Sequence, residues 1–276
     1  MLAHVAEHPR LRILIVDLLD RDDMVAAFDG VSTVFHLAAN ADVRLAAVDQ
    51  EIDLRQGVES TANALHAAVK VNASRFIFAS SSTVYGEATA IPTPEEYGPL
   101  HPISLYGAAK LGAEGFVTAY AHSFGLRCWI YRFANVIGPR VTHGVIVDFL
   151  EKLRRDRTRL EILGDGRQAK SYLTVRDCVD GILHGLDHAT DHVNLYNLGT
   201  DDVITVRRIA EIVIEELGIQ NVRLEFTGGD RGWKGDVPRM HLSCTRLKNL
   251  GWKPSHSSEE AVREAIRSLR AERWQP

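Results

Sequence analysis

The sequence predicts an α/β protein, a doubly wound parallel sheet with a smaller C-terminal lobe woven into it. Three observations point there. Short apolar runs rich in β-forming residues alternate with helical stretches, the texture changes after about residue 140, and no long linker, low-complexity tract or internal repeat divides the chain. With 276 residues the chain can bury a full core, as one large domain or as a domain with a smaller lobe.

The first strand-like run is LRILIV (11–16), followed by DLLD (17–20) and a helix starting near Arg21. STVFHLA (32–38), RFIFAS (75–80) and CWIYRF (128–133) are the next strands, separated by helical stretches at 54–70 and 106–123. Strands alternating with helices imply βαβ units, hence parallel strands covered on both faces. Beyond residue 140, LEILGDG and KSYLTV read as two further strands before a helix that begins near Asp177. Another helix near 205–217 has Val206, Ile209, Ala210, Val213, Ile214 and Leu217 at helical spacing.

Composition narrows the function classes. A net charge of -4 and a pI near 6.3 give no global attraction for nucleic acid or anionic membrane. No apolar run approaches the roughly 20 residues that span a bilayer, and the first residues lack signal-peptide order. Cys128, Cys178 and Cys244 are far apart and show no paired metal or redox spacing, which suits free thiols in a reducing cytoplasm. A cytoplasmic enzyme or binding protein is expected.

The chemistry concentrates where strands end, because open parallel sheets bind ligands beyond the carboxyl ends of their strands. SSTVYG follows RFIFAS and places the hydroxyls of Ser81 or Ser82 at that edge. Further on, ISLYGAAKLGAE (103–114) opens a helix carrying Tyr106 and Lys110, four residues apart and therefore on one face. A free phenol is a poor base at neutral pH, but a cation about 4 Å away favours the phenolate by a few kcal/mol at an intermediate dielectric. A serine hydroxyl aimed at the same oxygen completes a site for taking a proton from an alcohol. The pair taken alone also fits a helix face with a snorkelling lysine. His184, His188 and His192 lie at helical spacing and raise the question of a metal, but neither a cysteine nor a second carboxylate is arranged around them.

Taken together, DLLD (17–20), HLAA (36–39), SSSTVYG (80–86), YGAAK (106–110), RFANVIGPR (132–140), GDGRQAKSYL (164–173), NLG (197–199) and RGWKGDVP (231–238) carry a specific likeness over essentially the whole chain. The chain resembles the extended short-chain dehydrogenase/reductase family, in its NAD-dependent nucleotide-sugar epimerase/dehydratase branch. The resemblance implies a Rossmann-like sheet. It assigns residues 1–140 with 171–200 to a dinucleotide-binding domain and 141–170 with 201–276 to a nucleotide-sugar-binding lobe. It implies that Ser81 and Tyr106 bind the reacting sugar hydroxyl, and that Lys110 grips the nicotinamide ribose while lowering the phenol's pKa. Asp17 and Leu18 would contact the adenine of NAD, and the main chain of Leu37, Ala38 and Ala39 would run along the cofactor. Asn135, Lys170, Arg231 and Asp236 would hold the nucleoside diphosphate of a UDP-sugar, the cations as charge-assisted donors. Asp17 also fits a helix cap, GDG a tight turn, and Arg231 an ordinary surface arginine. A homodimer packed through the helices at 54–70 and 106–123 is implied as well, with Ala108, Ala109, Gly112 and Ala113 permitting close approach; the same small residues equally fit packing within one subunit.

Two departures from the family pattern matter. Dehydratases of the branch carry an Asp-Glu pair just after the serine and decarboxylases a Glu, whereas here Ser82 and Thr83 stand at those places, which favours 4-epimerisation over elimination. A nucleotide-sugar reductase or dehydratase of the same family, or a catalytically inactive truncated binding or regulatory relative, remains the alternative. In addition, no G-x-G-x-x-G or G-x-x-G-x-x-G turn opens the chain, and about 45 to 50 residues of the family's opening strand, turn, helix and strand have no counterpart. The resemblance then implies an incomplete gene product or a degenerate paralogue, with a gap between LRILIV and STVFHLA or a re-paired sheet with an exposed edge.

Overall fold

The computed structural model describes residues 5–43, 45–233 and 235–273. After an extended segment, Asp20 caps a short helix α1 (Arg21–Ala27) by accepting from the N–H groups of Asp22 and Asp23. Strand β1 (Thr33–His36) follows, and then a π-helical turn, Leu54–Glu59, runs directly into α2 (Ser60–Lys70). The next units are β2 (Arg75–Ser81), α3 (Leu105–Phe124) and β3 (Arg127–Phe133). Ser104 caps α3 from its side chain, and Gly125, at φ 73°, ends it in the left-handed region that glycine enters without penalty.

The remaining elements build the second lobe and return to the sheet. They are β4 (Asn135–Ile137), α4 (Val145–Arg155), β5 (Arg159–Ile162), β6 (Ala169–Lys170), β7 (Tyr172–Thr174), α5 (Val175–His188) and β8 (Val193–Leu198). Then come β9 (Ile204–Thr205), α6 (Val206–Leu217), β10 (Arg223–Phe226), β11 (Arg239–Met240), α7 (Thr245–Asn249) and α8 (Ser258–Arg273).

The main sheet is parallel, in the order β1-β2-β3-β8, as the βαβ reading requires. Its inner strands β2 and β3 are buried on both sides. Phe76, Phe78, Cys128 and Ile130 pack with Ala64, Leu65 and Ala68 of α2 and Ala113 and Val117 of α3, while Ile77, Trp129 and Tyr131 face α5, α7 and Trp252. That double coverage explains why these runs are continuously apolar instead of alternating. Another core joins α4, α6 and α8 to β5. Small sheets β4-β7, β5-β10 and β11-β6-β9 knit it to the first, so the C-terminal part is interwoven, not tethered. Among the described residues no helix is long and apolar enough to cross a membrane.

The expected strand at 11–16 is not formed. The segment is described without strand structure, and Ile15 is 99% exposed. The reason is pairing: a strand exists only beside a neighbour that takes its N–H and C=O groups, and the described residues offer LRILIV none. β1 is hydrogen-bonded to β2 alone, which leaves its other edge open.

Candidate functional site

The site lies at the carboxyl ends of β1, β2 and β3. β2 delivers Ser80 and Ser81. The Ser81 Oγ accepts from Thr83 N at 3.2 Å and from Thr83 Oγ1 at 2.9 Å. Its own proton is then free for the hydrogen bond it makes to the Tyr106 phenol. Gly86 closes this loop at φ 60°, where an added Cβ would sit 1.9 Å from the His101 carbonyl oxygen, so only glycine fits. α3 presents Tyr106 and Lys110 on one face, with Lys110 Nζ 5.8 Å from the centroid of the Tyr106 ring and 4.9 Å from that of Phe78. The expected meeting of serine, tyrosine and lysine is therefore present.

Its electrostatics differ from the expectation. Burial pushes the Tyr106 phenol up to about 12; the Ser81 hydrogen bond opposes this and Asp53 adds to it. Lys110 is not among the groups that shift the phenol, because its ammonium is turned to the Ala79 carbonyl, to which Nζ donates at 2.6 Å. Burial brings Lys110 itself down to about 8, against the opposing pull of Glu114 and Asp53.

Three surrounding groups escaped the sequence reading. Glu114, one turn beyond Lys110, forms a buried bidentate pair with Arg132: Nε to Oε1 at 2.9 Å and Nη2 to Oε2 at 2.7 Å. Glu114 Oε1 also accepts from Ser80 Oγ at 2.5 Å, which ties α3 to the ends of β2 and β3. The four-residue step from Lys110 to Glu114 was a usable signal, since it puts both on one helical face. Asp53 is buried and hydrogen-bonded to Asn40 Nδ2 at 2.9 Å. His36, 4% exposed, ends β1.

The protonation of His36 follows from its partner. Thr61 Oγ1 donates to Gly57 O at 2.5 Å, so the 3.0 Å contact with His36 must run from Nε2–H to the hydroxyl oxygen. Burial, helped by the charge of Lys110, lowers His36 from 6.5 to about 4. Above pH 6.5 the ring is neutral in both folded and unfolded chains, and stability is at its full value. Between pH 6.5 and 4 the unfolded chain takes up a proton that the folded chain refuses, so stability falls with pH, by about 3 kcal/mol in total. Urea unfolding at pH 7 and 4.5 should show a smaller loss in His36→Asn than in the wild-type protein.

The residues expected along a dinucleotide occupy the open side. Leu37 and Ala38 are exposed and Ala39 half-buried, directly after β1. Asp17 is exposed and accepts from Leu19 N at 2.9 Å, so it closes a turn; the helix cap is Asp20. Asn63 of α2 holds that turn by donating to the carbonyls of Leu18 and Leu19 at 3.0 and 3.2 Å. The expected diphosphate-holding residues gather in the second lobe. Lys170 Nζ donates to Asp236 Oδ1 at 2.5 Å, Asp236 Oδ2 accepts from Gly232 N at 3.1 Å, and Arg231 Nη1 donates to Asp236 O at 2.9 Å. Arg231 also pairs with Glu87, which follows the Ser81 loop, and so links the two groups of residues. Asn135 donates to Ser171 O at 3.3 Å, next to Lys170. Arg231 is thus no solitary surface arginine. His184, His188 and His192 each place a ring nitrogen 2.8 to 2.9 Å from a backbone carbonyl oxygen, of Leu250, His184 and Ala121. All three cysteines are buried and unpaired, their thiols pushed up to about 12.

Residues 2–199 match the model of the NAD-dependent epimerase/dehydratase family. The chain belongs to this family. A UDP-glucose 4-epimerase from Mycolicibacterium smegmatis is 29% identical over 97% of this chain and 86% of its own length. The crystal structure of a UDP-galactose 4-epimerase shares 42% identity and superposes with a TM-score of 0.86, covering 97% of this chain and 86% of that one. A dTDP-glucose 4,6-dehydratase from Streptomyces venezuelae, crystallised with NAD, reaches a TM-score of 0.88 at 27% identity, over 99% of this chain and 83% of its own. The cofactor of this epimerase/dehydratase family is NAD. At the ends of β1 and β2 the site suits it, because Lys110 is a buried cation and Asp53 Oδ2 is a buried acceptor with no hydrogen-bond partner among the described residues. Among the described residues no Gly-rich turn joins a strand of the parallel sheet to the helix after it, where its N–H groups would face a pyrophosphate.

Proposed function

We propose that the protein is a nucleotide-sugar 4-epimerase of the UDP-glucose/UDP-galactose type. The observation that carries this reading is the convergence of Ser81, Tyr106 and Lys110 beside a loop in which Ser82 and Thr83 supply hydroxyls and no carboxylate. Elimination and decarboxylation need a further acid/base group at that place, while exchange of configuration at one carbon does not. The likeness to UDP-sugar 4-epimerases supports the same choice.

Tyr106 Oη takes the proton of the sugar's 4-hydroxyl, and Ser81 orients that hydroxyl. When bound, NAD+ would supply a reversible hydride acceptor for C4, and once the ketone has turned to present its other face the hydride would return there with no net redox change. Lys110 holds positive charge beside the phenol. Tyr106 donates its proton back to the newly formed alkoxide, which closes the cycle. Residues 141–170 and 201–276 bind the nucleotide, and residues 1–140 with 171–200 bind the cofactor. Lys170, Arg231, Asn135 and Asp236 hold the UDP moiety. A diphosphate must draw Arg231 from Glu87 and Lys170 from Asp236, and charge-assisted bonds to phosphate favour that exchange.

We read the outer row of α3 as a homodimer face. Leu105, Ala108, Gly112 and Phe116 are exposed there, whereas Ala109 and Ala113 are consumed by packing inside the chain. The site's expected setting is the cytoplasm. The function is tested by incubating the protein with NAD+ and UDP-galactose and following the anomeric protons by NMR. UDP-glucose should accumulate to an equilibrium mixture without a keto sugar or free NADH. Accumulated keto sugar would indicate a dehydratase, net NADH formation an oxidoreductase, and no product together with no NAD+ binding by calorimetry a non-catalytic relative.

A further inference from the structure

Asp53 has no part in the chemistry above, yet it is 2% exposed at the head of the π-helical turn that leads into α2. Its Oδ1 accepts from Asn40 Nδ2 at 2.9 Å, and its Oδ2 has no partner among the described residues. Asn40 closes its own loop, donating to Asp42 O at 2.9 Å and accepting from Asp42 N at 3.0 Å, and that loop continues directly from Leu37, Ala38 and Ala39. Leaving a buried charged group partly unbonded costs a few kcal/mol, so such a group calls for a reason other than stability.

The charges around the catalytic pair suggest the reason. Against Lys110 stand His36 from β1, which is neutral, Glu114 from α3, and Asp53 from the segment before α2. Glu114 is already matched by Arg132 through two hydrogen bonds. Asp53 forms no ion pair among the described residues and acts electrostatically on both Lys110 and Tyr106.

We infer that Asp53 is a positioning residue of the catalytic pair, the resident counter-charge that keeps the buried Lys110 an ammonium ion and, through Asn40, fixes the loop along which the cofactor runs. The inference rests on the proton-transfer role given above to Tyr106 and Lys110. Burial brings Lys110 down to about 8 even with Glu114 and Asp53 pulling the other way. Without Asp53 it falls further, and Tyr106, which Asp53 raises, falls with it. Both limbs of the pH profile of kcat/KM therefore move to lower pH, a change that a merely structural residue does not produce.

The test uses the full chain, without cofactor, labelled with 13C-lysine, the Lys110 signal being assigned by its loss in Lys110→Arg. In Asp53→Asn the Lys110 titration midpoint should fall by about one pH unit, the usual scale for losing an opposite charge near a buried group. Asp53→Ser removes the same charge with a smaller side chain and should give the same direction. An unchanged midpoint in both variants overturns the inference even if turnover drops, and so does failure of both to fold, since Asp53 is then structural. Because the titration needs neither cofactor nor turnover, absence of epimerase activity in the wild-type protein would count against the functional reading and leave this measurement standing.

Discussion

Tyr106→Phe is expected to lower kcat for UDP-galactose by about 10²- to 10⁴-fold, the usual contribution of a positioned acid/base group, with little change in nucleotide affinity. The phenol of Tyr106 lies where the hydroxyl of Ser81 meets the face of α3, and Lys170, Arg231 and Asp236, the residues proposed to hold the nucleotide, lie in the other lobe. Loss of one oxygen also removes a buried hydroxyl that prefers its neutral state, so the fold should not suffer. Initial rates with a coupled UDP-glucose assay, and UDP affinity by calorimetry, separate the two effects. A comparable fall in affinity would mean that Tyr106 serves binding, not chemistry.

The second large effect is on stability. Glu114→Gln is expected to destabilise the protein by about 3–5 kcal/mol, because it leaves the buried guanidinium of Arg132 without its matching charge. Arg132 has few substitutes for that partner: its Nη1 donates to the Glu95 carbonyl oxygen at 3.3 Å, and its face lies over the Tyr85 ring. Ser80 loses its acceptor at the same time, next to the catalytic serine. Urea midpoints measure the loss. Glu114→Gln combined with Arg132→Met should be less destabilised than the sum of the two single changes, since removing both charges avoids the stranded one. Additive losses would show that the pair is not coupled.

The sheet was legible in the sequence wherever strands had neighbours. RFIFAS and CWIYRF are continuous apolar runs because helices cover both faces, and the structure places them side by side as β2 and β3. LRILIV reads as strongly, but apolar β-formers specify a face and not a partner, and without an adjacent strand the segment stays unpaired. The shared face of Tyr106 and Lys110 was legible because a four-residue spacing on a helix fixes direction. What was not legible is the state of its charges. Spacing says that Lys110 and Tyr106 share a face, but whether the ammonium turns to the phenol or to the Ala79 carbonyl depends on a backbone 31 residues away in sequence. Asp53 and Asn40 were invisible for a similar reason: neither belongs to a periodic pattern, and only the fold brings the two together beside α3. Arg231 was legible as a motif residue, while its bridge to Glu87 required the loop after Ser81 to meet the second lobe.

The central claim is that a proton leaves through Tyr106 while the hydrogen on C4 is taken and returned within one closed site. UDP-galactose carrying deuterium at C4, converted by the wild-type protein with NAD+ in ordinary water, tests it most directly. The account predicts UDP-glucose that keeps the deuterium at C4. Product with hydrogen from water at that carbon would contradict it.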